Sequence, residues 1–413
     1  MNILMLGRWL PPPRRPVRGT REYQFARHLA RQHRLTLAFV ADNPDAAGAI
    51  SALRSEFGDL EFSSVPRGWK SLVSAVRLAT GESCTLSYFR SEALRTRLAE
   101  RLRRTAYDVV FVSSSTMIPY ALEVDPAIPL VADFGSVGSE WWIQQAARGT
   151  FPGTRFFRTE AARLRMAETA AARRAARCLV DSVGAARIVE SFQPATPPVV
   201  IPDGVDVETV GHGLRQGTTP TLVINLAGAG GPDLHESGAF WGKVVPVIRA
   251  RVPSARVVAV VSEVLPAGWR GPAGVEMVGP GYDIRLLLHT RAVTAVATSG
   301  AADPLPGALE SMAVGVPVVM TSGVRERLGA GPGVDLRTAD DPVDFGRHVA
   351  ELLESDTDRR QVGEAGRHFA GTHWSWDVHA ARLAGMLAEV VKGPVAAPPG
   401  PAESAPISAQ VRG

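Results

Sequence analysis

Asp303-Pro-Leu-Pro-Gly-Ala-Leu-Glu310-Ser-Met-Ala-Val-Gly-Val-Pro-Val-Val-Met320 reads as a proline-bearing loop, a short helix over 305–314, a stop at Gly315 and an apolar strand over Pro317–Met320. The N-terminus of such a helix presents unpaired N–H groups and a partial positive charge, which makes it a seat for a phosphate. Pro304 and Pro306 donate no N–H, so the loop offers fewer amides than its length suggests. Glu310, about one turn further in, comes within reach of a ribose hydroxyl on the same ligand.

The pattern around this stretch alternates strand and helix. Apolar strands are expected at Asn2–Leu6, Leu35–Val40, Leu60–Val65, Asp108–Ser113, Leu130–Phe134 and Arg177–Asp181. Helices are expected at Thr20–Gln32, Ala46–Phe57, Ser91–Arg104 and Arg155–Arg177. A polar, glycine-rich segment at 207–219 reads as a linker. Beyond it a second series begins, with strands Thr221–Leu226, Arg256–Val261, Val275–Val278 and Ala292–Ala297. Helices Ser237–Arg251, Asp283–Thr290, Pro342–Glu354, Asp358–Phe369 and Trp376–Val391 complete that series. Short apolar strands separated by helices predict α/β architecture with parallel, helix-covered sheets, one doubly wound domain in each half. The predicted boundaries are 1–206, a linker at 207–219, 220–373, a crossover helix at 374–392 and a disordered tail at 393–413.

A chain of 413 residues exceeds one typical core, in keeping with two domains. Its two cysteines, Cys84 and Cys178, form no CxxC pair and no zinc spacing, so no disulfide framework and no metal are expected. No apolar run reaches membrane-spanning length, and the short stretch before Arg8 does not resemble an export signal. The expectation is a cytoplasmic protein. Residues 1–200 hold 27 Lys and Arg against 18 Asp and Glu, whereas residues 201–413 hold 18 against 23. The basic first half permits peripheral contact with the inner membrane face or a polyanionic acceptor, and equally a plain solvated surface. Nucleic acid is not expected, because the arginines are scattered over many helices without aromatic stacking motifs.

Several motifs, in order, resemble bacterial glycosyltransferases of the two-Rossmann-domain type (GT-B). They are similar in particular to the retaining, family-4-like sugar transferases of exopolysaccharide synthesis. The motifs are Leu10-Pro-Pro-Pro with Arg18-Gly-Thr-Arg-Glu-Tyr-Gln, Ser87-Tyr-Phe-Arg-Ser-Glu-Ala-Leu, and Phe111-Val-Ser-Ser-Ser-Thr-Met. Ala132-Asp-Phe-Gly-Ser, Ile201-Pro-Asp-Gly-Val-Asp206, Glu310-Ser-Met-Ala-Val-Gly and Trp374-Ser-Trp follow. The resemblance implies two Rossmann-like domains facing across a cleft, with a final helix crossing back to the first. It implies a nucleotide-diphosphate sugar as donor substrate, no cofactor, and a glycan, lipid-linked or small-molecule acceptor.

On this resemblance Glu310 takes the second acidic position of a Glu-x7-Glu pattern, the ribose ligand. The first position is Ala302, and the adjacent Asp303 either substitutes for it or caps the helix. The amides of Ala308 and Leu309 would cradle the diphosphate. Gly19 and Arg18 would approach the donor phosphates from the first domain, and Gly279 and Pro280 would line the nucleobase pocket. Asp133, at a strand C-terminus, is the candidate base. The sequence departs from the pattern at the phosphate clamp, where an arginine and a lysine are replaced by Glu263 and Gly307. Each such cation contributes about 4 kcal/mol at 4 Å in an effective dielectric near 20. Arg18, Arg21, Arg285 and Arg325 are the candidates to compensate. The departures leave two readings: a retaining transferase, or a non-catalytic scaffold with a degraded clamp. A nucleotide-sugar epimerase is a third.

Overall fold

The computed structural model describes residues 1–8, 21–41, 46–64, 81–148, 153–207, 218–226, 231–261, 273–279, 285–288, 291–297, 305–331 and 336–393. Contacts divide the chain into two units. One holds Met1–Arg14, Gly19–Pro202 and the chain from His379; the other holds Asp203–Val378. The last helix, Trp376–Lys392, thus starts in the second unit and belongs to the first from His379 on.

The first unit is built on seven parallel strands: β1 Asn2–Arg8, β2 Arg34–Ala41, β3 Leu60–Ser64, β4 Val109–Ser113, β5 Leu130–Asp133, β6 Arg177–Val180 and β7 Val199–Val200. Their order is β3-β2-β1-β4-β5-β6-β7, so the direction of winding reverses between β1 and β4. Ile3–Leu6 and Val109–Phe111 are fully buried. That is why these strands read as continuous apolar runs rather than alternating ones, as strands covered by helices on both faces do.

The second unit carries six parallel strands: β8 Pro220–Asn225, β9 Arg256–Val260, β10 Glu276–Val278, β11 Arg291–Val296, β12 Val318–Met320 and β13 Arg337–Thr338. Their order, β10-β9-β8-β11-β12-β13, reverses between β8 and β11. Trp241 and Phe345 meet edge to face over this sheet at 5.6 Å between centroids, in a core with Leu222, Ile224 and Val293. Two motifs far apart in sequence, Gly204-Val205 and Trp374-Ser-Trp376, meet in this unit: Val205 N–H donates to the Trp374 carbonyl at 2.8 Å. Gly204 lies against Trp376 so closely that a Cβ would stand 2.8 Å from the Trp376 nitrogen.

The strands and long helices fall where the sequence places them, within a few residues, except that the helix expected at Ser237–Arg251 begins at Gly231. The sequence reading omits short helices at Cys84–Phe89, Ile118–Leu122, Gly138–Arg148, Val183–Glu190 and Ser322–Leu328, and the two-residue strands β7 and β13. The first of these helices is only six residues long and owes its stability to tertiary contacts. Glu160, fully buried on the Gly153–Arg174 helix, accepts from Ser83 Oγ at 2.6 Å and from the Cys84 and Thr85 amides at 2.8 Å. A carboxylate there satisfies N-terminal donors and complements the helix dipole. Glu168, two turns on, accepts from Ser115 Oγ at 2.6 Å and from Ser139 N–H at 3.1 Å. It thereby ties the turn after β4 to the start of the Gly138–Arg148 helix. Among the described residues, no helix is long and apolar enough to cross a membrane.

Burial pushes the Glu168 carboxyl above its ordinary range, against the pull of the Ser115 and Ser139 hydrogen bonds. Its Oε2 has no hydrogen-bond partner among the described residues. Folding therefore favours the protonated form. Stability from this group is complete below the ordinary carboxylate pKa and declines as pH rises toward the raised value. Glu168→Gln keeps an acceptor for Ser115 and Ser139 but cannot ionise. Its urea midpoint should gain on wild type as pH is raised from about 4 to about 7. Parallel pH courses for the two proteins would contradict this.

Candidate functional site

In open α/β sheets the crevice where strand order reverses, outside the C-terminal ends of the strands, is the usual ligand seat. In the second unit that crevice lies between β8 and β11. The Leu305–Val314 helix starts there, and its first turn is fixed to the sheet. Ser311 Oγ donates to the Gly307 carbonyl at 2.9 Å, and Thr294 Oγ1 on β11 donates to Ser311 Oγ at 2.9 Å. Both hydroxyl side chains are fully buried. The helix stops where the sequence expects, with Gly315 at φ +83° and its N–H on the Met312 carbonyl.

Glu310 is 6% exposed and flanked by the buried Ala308, Leu309 and Met312, so it is no ordinary surface glutamate. The start at Leu305 shifts attention among the amides. Pro304 and Pro306 carry no N–H, so the non-proline amides of the opening turn are those of Leu305 and Gly307. Ala308 and Leu309 follow them, at positions that begin the intrahelical ladder. Gly307 has a further peculiarity: a Cβ built there would land on the carboxamide of Asn225, the last residue of β8. Asn225 is itself 7% exposed.

In the first unit the reversal lies between β1 and β4, and the polar residues near it are tightly bonded. Arg21 clasps Asp133 at the end of β5: Nε donates to Oδ2 at 2.8 Å and Nη2 to Oδ1 at 3.1 Å. The third guanidinium nitrogen, Nη1, donates to the Ile201 carbonyl at 2.7 Å. Asp133 also accepts from Ser113 Oγ and the Gly135 amide, both at 3.2 Å. The side chains are 9% and 1% exposed, so this is a buried, bidentate pair, and the guanidinium also lies over the Phe25 ring at 4.6 Å. Two non-glycine residues beside it have positive φ: Ser114 at +113° after β4, and the β-branched Val137 at +61° after β5. Backbone strain of this kind costs roughly 1–3 kcal/mol and persists where its surroundings over-determine it, commonly at functional sites.

The expected residues are distributed as follows. Glu310, Ala308 and Leu309 come together with Gly307 at the β8/β11 crevice. Gly279 directly follows β10, with no described atom within 4 Å of where its Cβ would be. Asp133 is at the end of β5 but is engaged by Arg21, which therefore does not serve as a spare phosphate cation. Arg325 is also committed: it holds the carbonyls of Ala330, Gly331 and Leu336 and the Thr338 hydroxyl. Arg18, Gly19, Glu263, Pro280 and Asp303, and the Arg285 side chain, lie outside the described residues. The sequence reading missed Asn225, although a lone polar residue ending an apolar strand was visible. It also missed Glu160 and Glu168, which resemble surface residues of an arginine-rich helix until their partners are seen.

No family model and no curated protein matches the sequence. Solved structures do match. The chain is similar to HepE of Anabaena in complex with UDP, at 15% identity and a TM-score of 0.55, covering 94% of this chain and 100% of that one. A HepE structure in complex with UDP-glucose matches at 14% identity and a TM-score of 0.54, with the same coverage. Sucrose-phosphate synthase of Thermosynechococcus elongatus matches at 13% identity and a TM-score of 0.54, over 94% of this chain and 99% of that one. With its two parallel doubly wound sheets and returning C-terminal helix, the chain has the GT-B fold of these glycosyltransferase structures.

Proposed function

We propose that this chain is a retaining glycosyltransferase that moves a sugar from a nucleotide-diphosphate sugar to a glycan, lipid-linked or small-molecule acceptor. The observation that carries the reading is the buried Glu310 one turn inside a helix that opens at the strand-order reversal of the second sheet. The UDP and UDP-glucose complexes of the similar HepE make a uridine nucleotide sugar the first donor to test. In this reading the Glu310 carboxylate accepts from the ribose hydroxyls, and the opening turn of the helix meets the diphosphate. The helix end stabilises negative charge as the diphosphate departs, which matters most when the leaving group itself takes the acceptor proton. No resident metal or cofactor enters the proposal.

Asp133 holds Arg21 in this reading instead of acting as a base. Both of its carboxylate oxygens are already engaged, by the Arg21 guanidinium, Ser113 Oγ and the Gly135 amide. The second reading, a non-catalytic scaffold, is favoured by one observation: residues 305–310 contain no basic side chain.

Two experiments decide among these. By calorimetry on the full chain, UDP-glucose should bind wild type, and Glu310→Ala should bind about tenfold or more weakly, as expected for a lost charged hydrogen bond of about 1.5–3 kcal/mol. Binding without turnover by any acceptor would favour the scaffold; no binding of any nucleotide sugar at millimolar concentration would remove the donor site altogether. For the first unit, Asp133→Ala should cost about 3–5 kcal/mol of stability by stranding a buried cation, and the double change Arg21→Met/Asp133→Leu should recover much of it. A base predicts otherwise: Asp133→Asn would keep wild-type stability and lose only kcat.

A further inference from the structure

We infer that the first unit docks on an anionic membrane surface through the outward face of its Gly153–Arg174 helix. This stands whether or not the second unit binds a nucleotide sugar. The helix carries six arginines, Arg155, Arg158, Arg163, Arg165, Arg173 and Arg174, and two acids, Glu160 and Glu168. Both acids are fully buried and turned inward, Glu160 onto Ser83 and the Cys84 and Thr85 amides, Glu168 onto Ser115 and Ser139. The charge that the helix shows to solvent is therefore all positive. Arg165, Arg173 and Arg174 donate to neutral acceptors: the Ser191 hydroxyl, the Gln193 carboxamide, and the Phe192, Val124 and Asp125 carbonyls. Such bonds fix the side chains without cancelling their charge. Arg155 and Arg158 are exposed and make no ion pair among the described residues. The Glu92–Arg104 helix, also rich in arginine, differs: there Arg95 pairs with Glu123 at 2.7 Å and Arg101 with Asp59.

Apolar surface beside this charge decides the partner. Exposed positions recur at 155, 158, 162, 166, 170 and 173, a three- and four-residue spacing that draws one face about 27 Å along the helix. Between Arg158 and Arg173 that face presents Ala162, Met166 and Ala170, and Met166 is 74% exposed. Met166 and Ala167 also edge a recess of about 410 Å³, lined by Leu86, Pro119 and Tyr120 among charged side chains including Arg90 and Arg163. Its Ser83 and Tyr120 hydroxyls are spent, on Glu160 and the Phe89 carbonyl, which suits the recess to an apolar guest. Near the Arg155 end stands Trp141, 53% exposed. Its ring meets Trp142 at 4.7 Å, and Trp142 meets Phe156 and Phe157 at 5.9 and 5.7 Å. A soluble polyanion uses the cations alone. A bilayer surface uses both: anionic headgroups draw each arginine by about fivefold in partitioning, and the interface takes tryptophan and other apolar side chains.

The test is co-sedimentation of the full chain with vesicles of phosphatidylcholine, alone or with about one-third phosphatidylglycerol. Wild type should sediment with the anionic vesicles and not with the neutral ones, and should be released as NaCl is raised from about 0.1 to about 1 M. Arg155→Gln/Arg158→Gln should weaken partitioning by about twentyfold or more at unchanged Tm, since neither side chain holds the fold by an ion pair. Arg34→Gln/Arg54→Gln, which removes the same charge from other exposed positions of the first unit, should stay within about twofold of wild type. Trp141→Ala/Met166→Ser should weaken vesicle binding several-fold and leave retention on heparin as in wild type. The inference is overturned if wild type ignores anionic vesicles at the lower salt, or if the two arginine pairs lose binding equally. Capture by heparin without capture by vesicles, or vesicle binding indifferent to Trp141→Ala/Met166→Ser, would reduce the face to plain charge and overturn lipid docking as well.

Discussion

Reversal of strand order between β8 and β11 is the constraint from which the rest of the second unit follows. Chains that wind outward in both directions from a central strand pair leave a gap at its C-terminal edge that no crossover helix covers. Whatever residues end β8 and begin the helix after β11 must line that gap. Here they are Asn225, Gly307 and, a turn deeper, Glu310. The hydrogen bonds through Ser311 and Thr294 convert this topological accident into fixed geometry, by tying the first helical turn to the neighbouring strand.

The first unit solves a different problem with the same topology. Its polar residues near the β1/β4 reversal are engaged with one another: Arg21 with Asp133 and Ile201, Ser113 with Asp133, Glu168 with Ser115 and Ser139. Such a network rigidifies the loops after β4 and β5, and it gives a physical reason why Ser114 and Val137 stay at positive φ. The buried Arg21–Asp133 pair contributes less to net stability than its Coulomb attraction suggests, since both ions had to be desolvated. Its evident effect is positional.

Much of this fold was legible in the sequence because parallel strands buried on both faces leave uninterrupted apolar runs, such as Ile3–Leu6 and Leu222–Ile224. Helix ends were legible where a residue type is demanded by the backbone, as at Gly315. The short helices were not, because Cys84–Phe89 has little intrinsic reason to form without the Glu160 carboxylate that arrives from a distant helix. The same holds at the sites. Glu310 could be singled out from its spacing after a proline-bearing loop. The Arg21–Asp133 clasp could not, since nothing local links residues so far apart. The missing side chain at 307 read from sequence as a vacancy in the phosphate clamp; in three dimensions a Cβ there would meet the end of the Asn225 side chain.

The proposed function turns on a nucleotide diphosphate seated at the opening turn of the Leu305–Val314 helix, with its ribose against Glu310. A crystal structure of the full chain with UDP is the decisive measurement. It should show diphosphate oxygens within hydrogen-bonding distance, about 2.7–3.2 Å, of the Gly307 amide, and ribose hydroxyls on the Glu310 carboxylate. UDP bound elsewhere, with Glu310 still buried and untouched, would contradict it.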